Sequence, residues 1–154
     1  MERRISVIPR AGQWFIVCIA CFIAGAAKSG ESVVLVTAET CPLESISTLD
    51  LRKAYLGVAV TVDGRRVRPV LMHGDEKLEQ IFYQSVVAMS KKSYERRRLS
   101  LTLKYGTPRL AVFDDVDAVS EALTSEECAI TYMWGSDAES LQGVKTIKLL
   151  WQDT

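Results

Sequence analysis

The 154-residue chain contains a single histidine. That scarcity removes most schemes of histidine-based acid–base catalysis and most imidazole-rich metal sites. A nucleophile elbow, a P-loop, a dinucleotide fingerprint and a paired metal motif are all missing. Neither an enzyme nor a resident cofactor is therefore expected. There is no excess of either charge: 19 Lys+Arg stand against 19 Asp+Glu. That balance excludes bulk attraction to nucleic acid or to anionic membranes. No internal repeat, low-complexity tract or linker divides the chain.

Long apolar runs are also scarce. The longest, "WFIVCIACFIAGAA" from Trp14 to Ala27, is 14 residues, against ~20 for a comfortable membrane span. It follows "MERRISVIPR", which carries three arginines, and ends in small residues. A basic start, a short apolar stretch and small residues at its end make a secretory signal peptide. Residues 1–27 are read as that leader, with cleavage after Ala26 or Ala27, and residues 28–154 as one exported, soluble domain without membrane attachment. A retained anchor is the alternative. A lipoprotein fits less well, because only seven apolar residues precede Cys21 and Cys18 stands where leucine is usual. Without the leader, 16 Lys+Arg remain against 18 Asp+Glu, a net charge near −2.

Two of the four cysteines leave with that leader, so Cys41 and Cys128 remain. An even count in an oxidising compartment permits one disulfide. The alternative is two unpaired thiols, one buried in the strand "CAITYM". Two cysteines and one histidine without close spacing make a poor metal-ligand set.

The rest of the chain alternates strands with helices. "SVVLV" is a continuous β-branched run, as in a buried parallel strand. "TLDLRKAYLG" reads as a short helix, with Ser47 and Asp50 as a capping pair and Gly57 at its end. "VAVTVDGRRVRPVLM" alternates on both sides of Asp63-Gly64, a hairpin signal. Leu78, Ile81, Phe82, Val86 and Met89 fall at helical spacing. A helix capped by Ser90 follows, with Tyr94, Leu101 and Tyr105 along one side, and Gly106 and Pro108 end it. Then come a strand "RLAVF", a capped helix "DDVDAVSEAL", a strand "CAITYM" and a last strand "VKTIKLLW". This alternation predicts an α/β fold: a mainly parallel sheet flanked by helices, with more helix than strand.

The order of these pieces resembles the small periplasmic proteins related to phosphate-transporter substrate-binding proteins, in the type II periplasmic-binding-protein superfamily. The carrying segments are "VVLV", "ISTLDLRKAYLG", "VDGRRVRPV", "LEQIFYQSVVAMS", "GTPRLAVF", "DVDAVSEAL", "CAITY" and "GVKTI". The resemblance implies a compact receptor-like domain in the periplasm, a small oxyanion such as phosphate as ligand, and an ABC permease as partner. Two departures stand out. The family's "G-A-I-G-Y" strand has lost both glycines, to Cys128 and Thr131. Where phosphate-binding relatives offer serine, threonine and often arginine at a helix start, this chain has His73-Gly74-Asp75-Glu76.

Helix starts offer free N–H groups and partial positive charge to an anion. Two are candidates: Ser45, Ser47 and Thr48 in "ESIST", and His73, Gly74 and Asp75 in "HGDE". Each has a plainer reading. Ser47 caps its own helix, and Asp75 with Glu76 complements the helix dipole and would oppose a dianion by about 4 kcal/mol per charge pair at 4 Å. Arg109, in a loop beside a strand, is a third candidate. Arg66 and Arg68 share one face of the hairpin and read as a solvated edge that could also meet an anion. Arg96, Arg97 and Arg98 read as a mainly solvated helix face, and Trp134 as core or the lining of a cleft. About 127 residues is close to half of what two full lobes need. Two functions follow: a solute-binding domain for a small oxyanion, or an envelope interaction protein that keeps the receptor fold without tight ligand binding.

Overall fold

The computed structural model describes residues 31–153; the leader lies outside them. The first strand, β1 (Ser32–Ala38), is buried from Val33 to Ala38. A run of apolar side chains with no polar alternation must be covered on both faces and flanked on both sides. β1 is: it lies inside a four-stranded sheet of order β4-β7-β1-β8, formed with β4 (Arg68–Pro69), β7 (Ala129–Trp134) and β8 (Val144–Gln152). Its direction differs from the parallel strand that the apolar run suggests. β1 runs antiparallel to β7, from Val33↔Trp134 to Thr37↔Ile130, and antiparallel to β8, with register shifts after Val33 and Leu35. β4 pairs parallel with β7 at one edge. A second parallel pair joins β5 (Leu71–Met72) to β6 (Val112–Phe113). The architecture is mixed α/β, and more residues lie in helices than in strands.

The hairpin strands β2 (Thr61–Val62) and β3 (Arg65–Arg66) turn at Asp63 (φ 51°) and Gly64 (φ 77°). Left-handed backbone at both central positions matches the right-handed twist of a tight hairpin. Among the described residues, five α-helices accompany the sheets: α1 (Thr48–Tyr55), α2 (Glu76–Ile81), α3 (Lys91–Tyr105), α4 (Val116–Ser125) and α5 (Gly135–Ser140). Ser47, Asp75, Ser90 and Asp115 cap the first four, each side chain accepting a backbone N–H of the first turn. Gly106, at φ 63°, closes α3.

Past Ile81 the α-helix widens into a π-helical turn, Phe82–Val86. Phe82, Val86 and Val87 are all at most 1% exposed, and the wider turn presents Val86 and Val87 together to the core. The chain then passes through Ala88 at φ 53° before α3. Phe82 stacks on Tyr132, with ring centroids 4.4 Å apart, and meets Tyr55 and Tyr94 edge-on at 5.0 and 5.7 Å. Every buried phenol finds a carbonyl: Tyr55 donates to Val70 (3.2 Å), Tyr94 to Tyr55 (2.7 Å) and Tyr132 to Met72 (2.9 Å). Aromatic bodies thus fill the core while their hydroxyls tie β5, α1 and the segment after β4 together. Tyr105, placed in line with Tyr94 by helical spacing, is 74% exposed because the end of α3 runs beyond this core.

Cys41 and Cys128 form a disulfide across a sequence separation of 87, with Cα atoms 5.1 Å apart. Both are buried. The bridge fastens the loop after β1 to the residue preceding β7.

Candidate functional site

At the start of α1, Ser47 Oγ accepts the Asp50 N–H at 3.0 Å and donates to Asp50 Oδ2 at 2.7 Å. Lys53 holds the other oxygen of that carboxylate at 3.3 Å. The Ser47 hydroxyl is committed to its own helix, while Ser45 and Thr48 are exposed. The hydrogen bond from Ser47, then that from Lys53, lowers the pKa of Asp50.

The start of α2 is closed in a similar way. Asp75 Oδ1 accepts the Leu78 N–H at 3.0 Å, and Oδ2 accepts the Trp134 indole N–H at 2.8 Å. These two donors, the Leu78 amide first, hold the Asp75 carboxyl below the ordinary carboxylate value. Gly74 turns the chain at φ 97° against Asp114. His73 donates its backbone N–H to Phe113 O at 2.8 Å, and its Nδ1 lies 3.8 Å from Glu79, which also pairs with Lys91 at 3.1 Å. Gly74 and Glu79 line a groove of about 960 Å³ with Glu76, Tyr83, Met89 and Lys91. Two carboxylates make this groove a poor host for an anion. Ser45, Ser47 and Thr48 do not line this groove.

Arg109 has a different setting. It lines a cavity of about 350 Å³ that also takes Arg66, Arg68, Gly57, Pro108 and Glu126. β3 supplies Arg66, β4 supplies Arg68, and the loop after α3 supplies Arg109. Arg68 is partly neutralised by Glu126 at 3.6 Å. Arg98, on α3, reaches the same wall. Its Nη2 donates to Pro108 O at 2.9 Å, and a Cβ added to Gly57 would collide with its guanidinium. Its Nη1 is buried and has no hydrogen-bond partner among the described residues. Sequence spacing hid this cluster: Arg66 and Arg68 look like a charged edge, and Arg98 like one of three fanned arginines. The signal that does mark it is Gly57, whose missing side chain leaves room for Arg98.

No family model matches the chain, and no curated protein sequence matches it. Solved structures do. An ABC-type phosphate transport receptor from Vibrio cholerae aligns at TM-score 0.55 and 10% identity, over 78% of this chain and 46% of the receptor. PstS from Borrelia burgdorferi aligns at TM-score 0.56 and 11% identity, over 78% and 47%. A Clostridium perfringens structure with bound phosphate aligns at TM-score 0.56 and 14% identity, over 78% and 45%. The chain therefore has a periplasmic-binding-protein-like fold. Its structural neighbours are phosphate ABC transporter substrate-binding proteins, and it spans slightly less than half of their length. Among the described residues, no helix is long and apolar enough to cross a membrane.

Proposed function

We propose that this chain is an exported, receptor-like domain that binds a small oxyanion, phosphate or a close relative, for delivery to an ABC-type permease. The binding groups are the guanidiniums of Arg66, Arg68 and Arg109, backed by Arg98, rather than the two helix starts. The observation that carries this reading is the convergence of Arg66, Arg68 and Arg109 on one cavity, with Arg98 packed against its Gly57 and Pro108 wall. A guanidinium presents a planar fork of N–H donors that matches an oxyanion. The Cys41–Cys128 bridge fits an oxidising, exported location, with residues 1–27 as the leader. Affinity is modest, because Arg66, Arg68 and Arg109 are exposed and a solvated site weakens each charged hydrogen bond. A Kd on the order of 0.1–1 mM, about −4 to −5.5 kcal/mol, is expected.

Calorimetric titration of the full chain with phosphate, sulfate and molybdate tests this. Binding reduced at least tenfold in Arg109→Ala and in Arg98→Ala, and unchanged in Ser47→Ala, supports it. Absence of heat with all three anions overturns it.

One observation favours the second reading, an envelope interaction protein. Leu99 and Leu103 stand one turn apart on α3 and are 57% and 77% exposed. Such a pair suits a protein surface better than water. In that case no anion produces heat, and an envelope partner crosslinks through positions 99 and 103.

A further inference from the structure

Lys77 projects from α2 between two tryptophans that lie far from it in sequence. Its Nζ is 5.4 Å from the Trp134 ring centroid and 5.5 Å from that of Trp151. The rings are 6.4 Å apart and inclined at 75°, so they form two walls of a corner. Val33 of β1 pairs with Trp134 on one side and with Trp151 on the other. The two indoles thus stand in one cross-strand row on a rigid three-strand base. Two carboxylates complete the surroundings: Glu31 forms an ion pair with Lys77, and Asp75 accepts the Trp134 indole N–H and fixes that ring. A cavity of about 290 Å³ opens here, lined by Glu31, Ser32, Asp75, Lys77, Trp134 and Ser136.

We infer that Trp134, Trp151, Glu31 and Asp75 form a second binding site, selective for a substituted ammonium group, and that Lys77 occupies it in the free chain. Two indole faces with carboxylates behind them attract a cation through the ring quadrupoles and through charge. The chain's own ammonium already sits where the ligand's would. Lys77 is held by an exposed pair with Glu31, with side chains 52% and 59% accessible, and by the two indole faces. The exposed pair contributes little, so a cation better suited to the indole faces displaces the lysine. A trimethylammonium group is less strongly hydrated than a lysine ammonium and gains more from the indole faces. Nothing in this site depends on the arginine cavity, so either can fail alone.

The test is tryptophan fluorescence of the full chain titrated with choline chloride, with sodium chloride at equal ionic strength as the control. The wild type should saturate weakly. Lys77→Ala, which removes the internal competitor, should bind choline at least tenfold tighter, and Lys77→Ala/Trp151→Leu should lose that gain. Lys77→Gln serves as a second variant, and circular dichroism establishes that each is folded. Sedimentation with phosphatidylcholine vesicles separates the two sources of the headgroup: co-sedimentation of Lys77→Ala points to a lipid, and saturation by choline alone points to a free solute. A folded Lys77→Ala or Lys77→Gln that responds equally to choline and sodium overturns the inference. So does tightening that survives the loss of Trp151.

Discussion

The indole N–H of Trp134 donates to Asp75 Oδ2 at 2.8 Å, joining the last residue of β7 to the residue that caps α2. The other oxygen of the same carboxylate accepts the Leu78 amide. One side chain therefore ends a strand contact and starts a helix. With both oxygens engaged and a full negative charge, Asp75 has nothing to offer an oxyanion. The helix start that most resembles an anion site by position is a structural joint.

That joint should show in acid. Hydrogen bonds from Leu78 and Trp134 hold the Asp75 pKa below its unfolded value, near 3.9, and Asp50 is lowered by Ser47 and Lys53. A depressed carboxylate contributes stability that is complete above the unfolded pKa and is lost as pH falls through the folded one. Melting temperature should therefore be flat from pH 7 to about 5 and fall below about pH 4. Asp75→Asn keeps a capping oxygen but cannot titrate, so its melting curve should fall less steeply over the same interval. Equal slopes in the two proteins would show that Asp75 does not take part.

Ser47 offers a separate check on how its helix start is used. Its hydroxyl both accepts the Asp50 amide and donates to the Asp50 carboxylate. Ser47→Ala should cost about 1 kcal/mol by denaturant titration, the usual worth of a cap. It should leave phosphate binding unchanged. A phosphate affinity that falls with Ser47→Ala would return the ligand to α1.

Much of this local structure is legible from residue type. Ser47, Asp75, Ser90 and Asp115 sit at the helix starts, Gly106 ends α3, and Asp63-Gly64 makes the hairpin. Each is set by chemistry within four residues. The run at Val33–Val36 marks a buried strand, but burial on both faces says nothing of which way its neighbours run; β7 and β8 both run antiparallel to it. α5 escapes because Gly135–Ser140 carries no buried side chain to create a stripe. The sites escape for a plainer reason. Lys77 meets Trp134 and Trp151, and Arg98 meets Gly57, only after folding, so no local spacing records either contact.

Gly57 and Arg98 form a pair whose coupling is measurable. Gly57 has φ 89°, and its Cβ would strike the Arg98 guanidinium. Gly57→Ala should cost about 1–2 kcal/mol from the backbone alone, plus whatever displacing Arg98 from Pro108 O adds. In an Arg98→Ala background only the backbone part remains, so the double-mutant cycle should be non-additive. Phosphate heat should fall in Gly57→Ala, because the displaced guanidinium no longer backs the cavity. Strict additivity in stability would mean that Arg98 moves aside at no cost.

Cys128 carries two loads that can be separated. It is half of the bridge to Cys41, and its backbone is left-handed at φ 50°. Glycine adopts such a backbone without a Cβ penalty, whereas the cysteine there supplies a cross-link across a sequence separation of 87. Reducing the bridge should cost about 2–5 kcal/mol, chiefly by freeing the unfolded chain. Without the bridge, only the strain remains. Cys41→Ser/Cys128→Gly should therefore melt higher than Cys41→Ser/Cys128→Ser, by about 3–5 °C for each kcal/mol of strain relieved. Both variants lack the cross-link and share the substitution at position 41, so the difference reports the backbone at position 128 and the serine–glycine change there. If the serine variant melts at or above the glycine variant, the left-handed turn costs less than the freedom glycine adds to the unfolded chain. The turn at Cys128 would then carry no net strain for the bridge to offset.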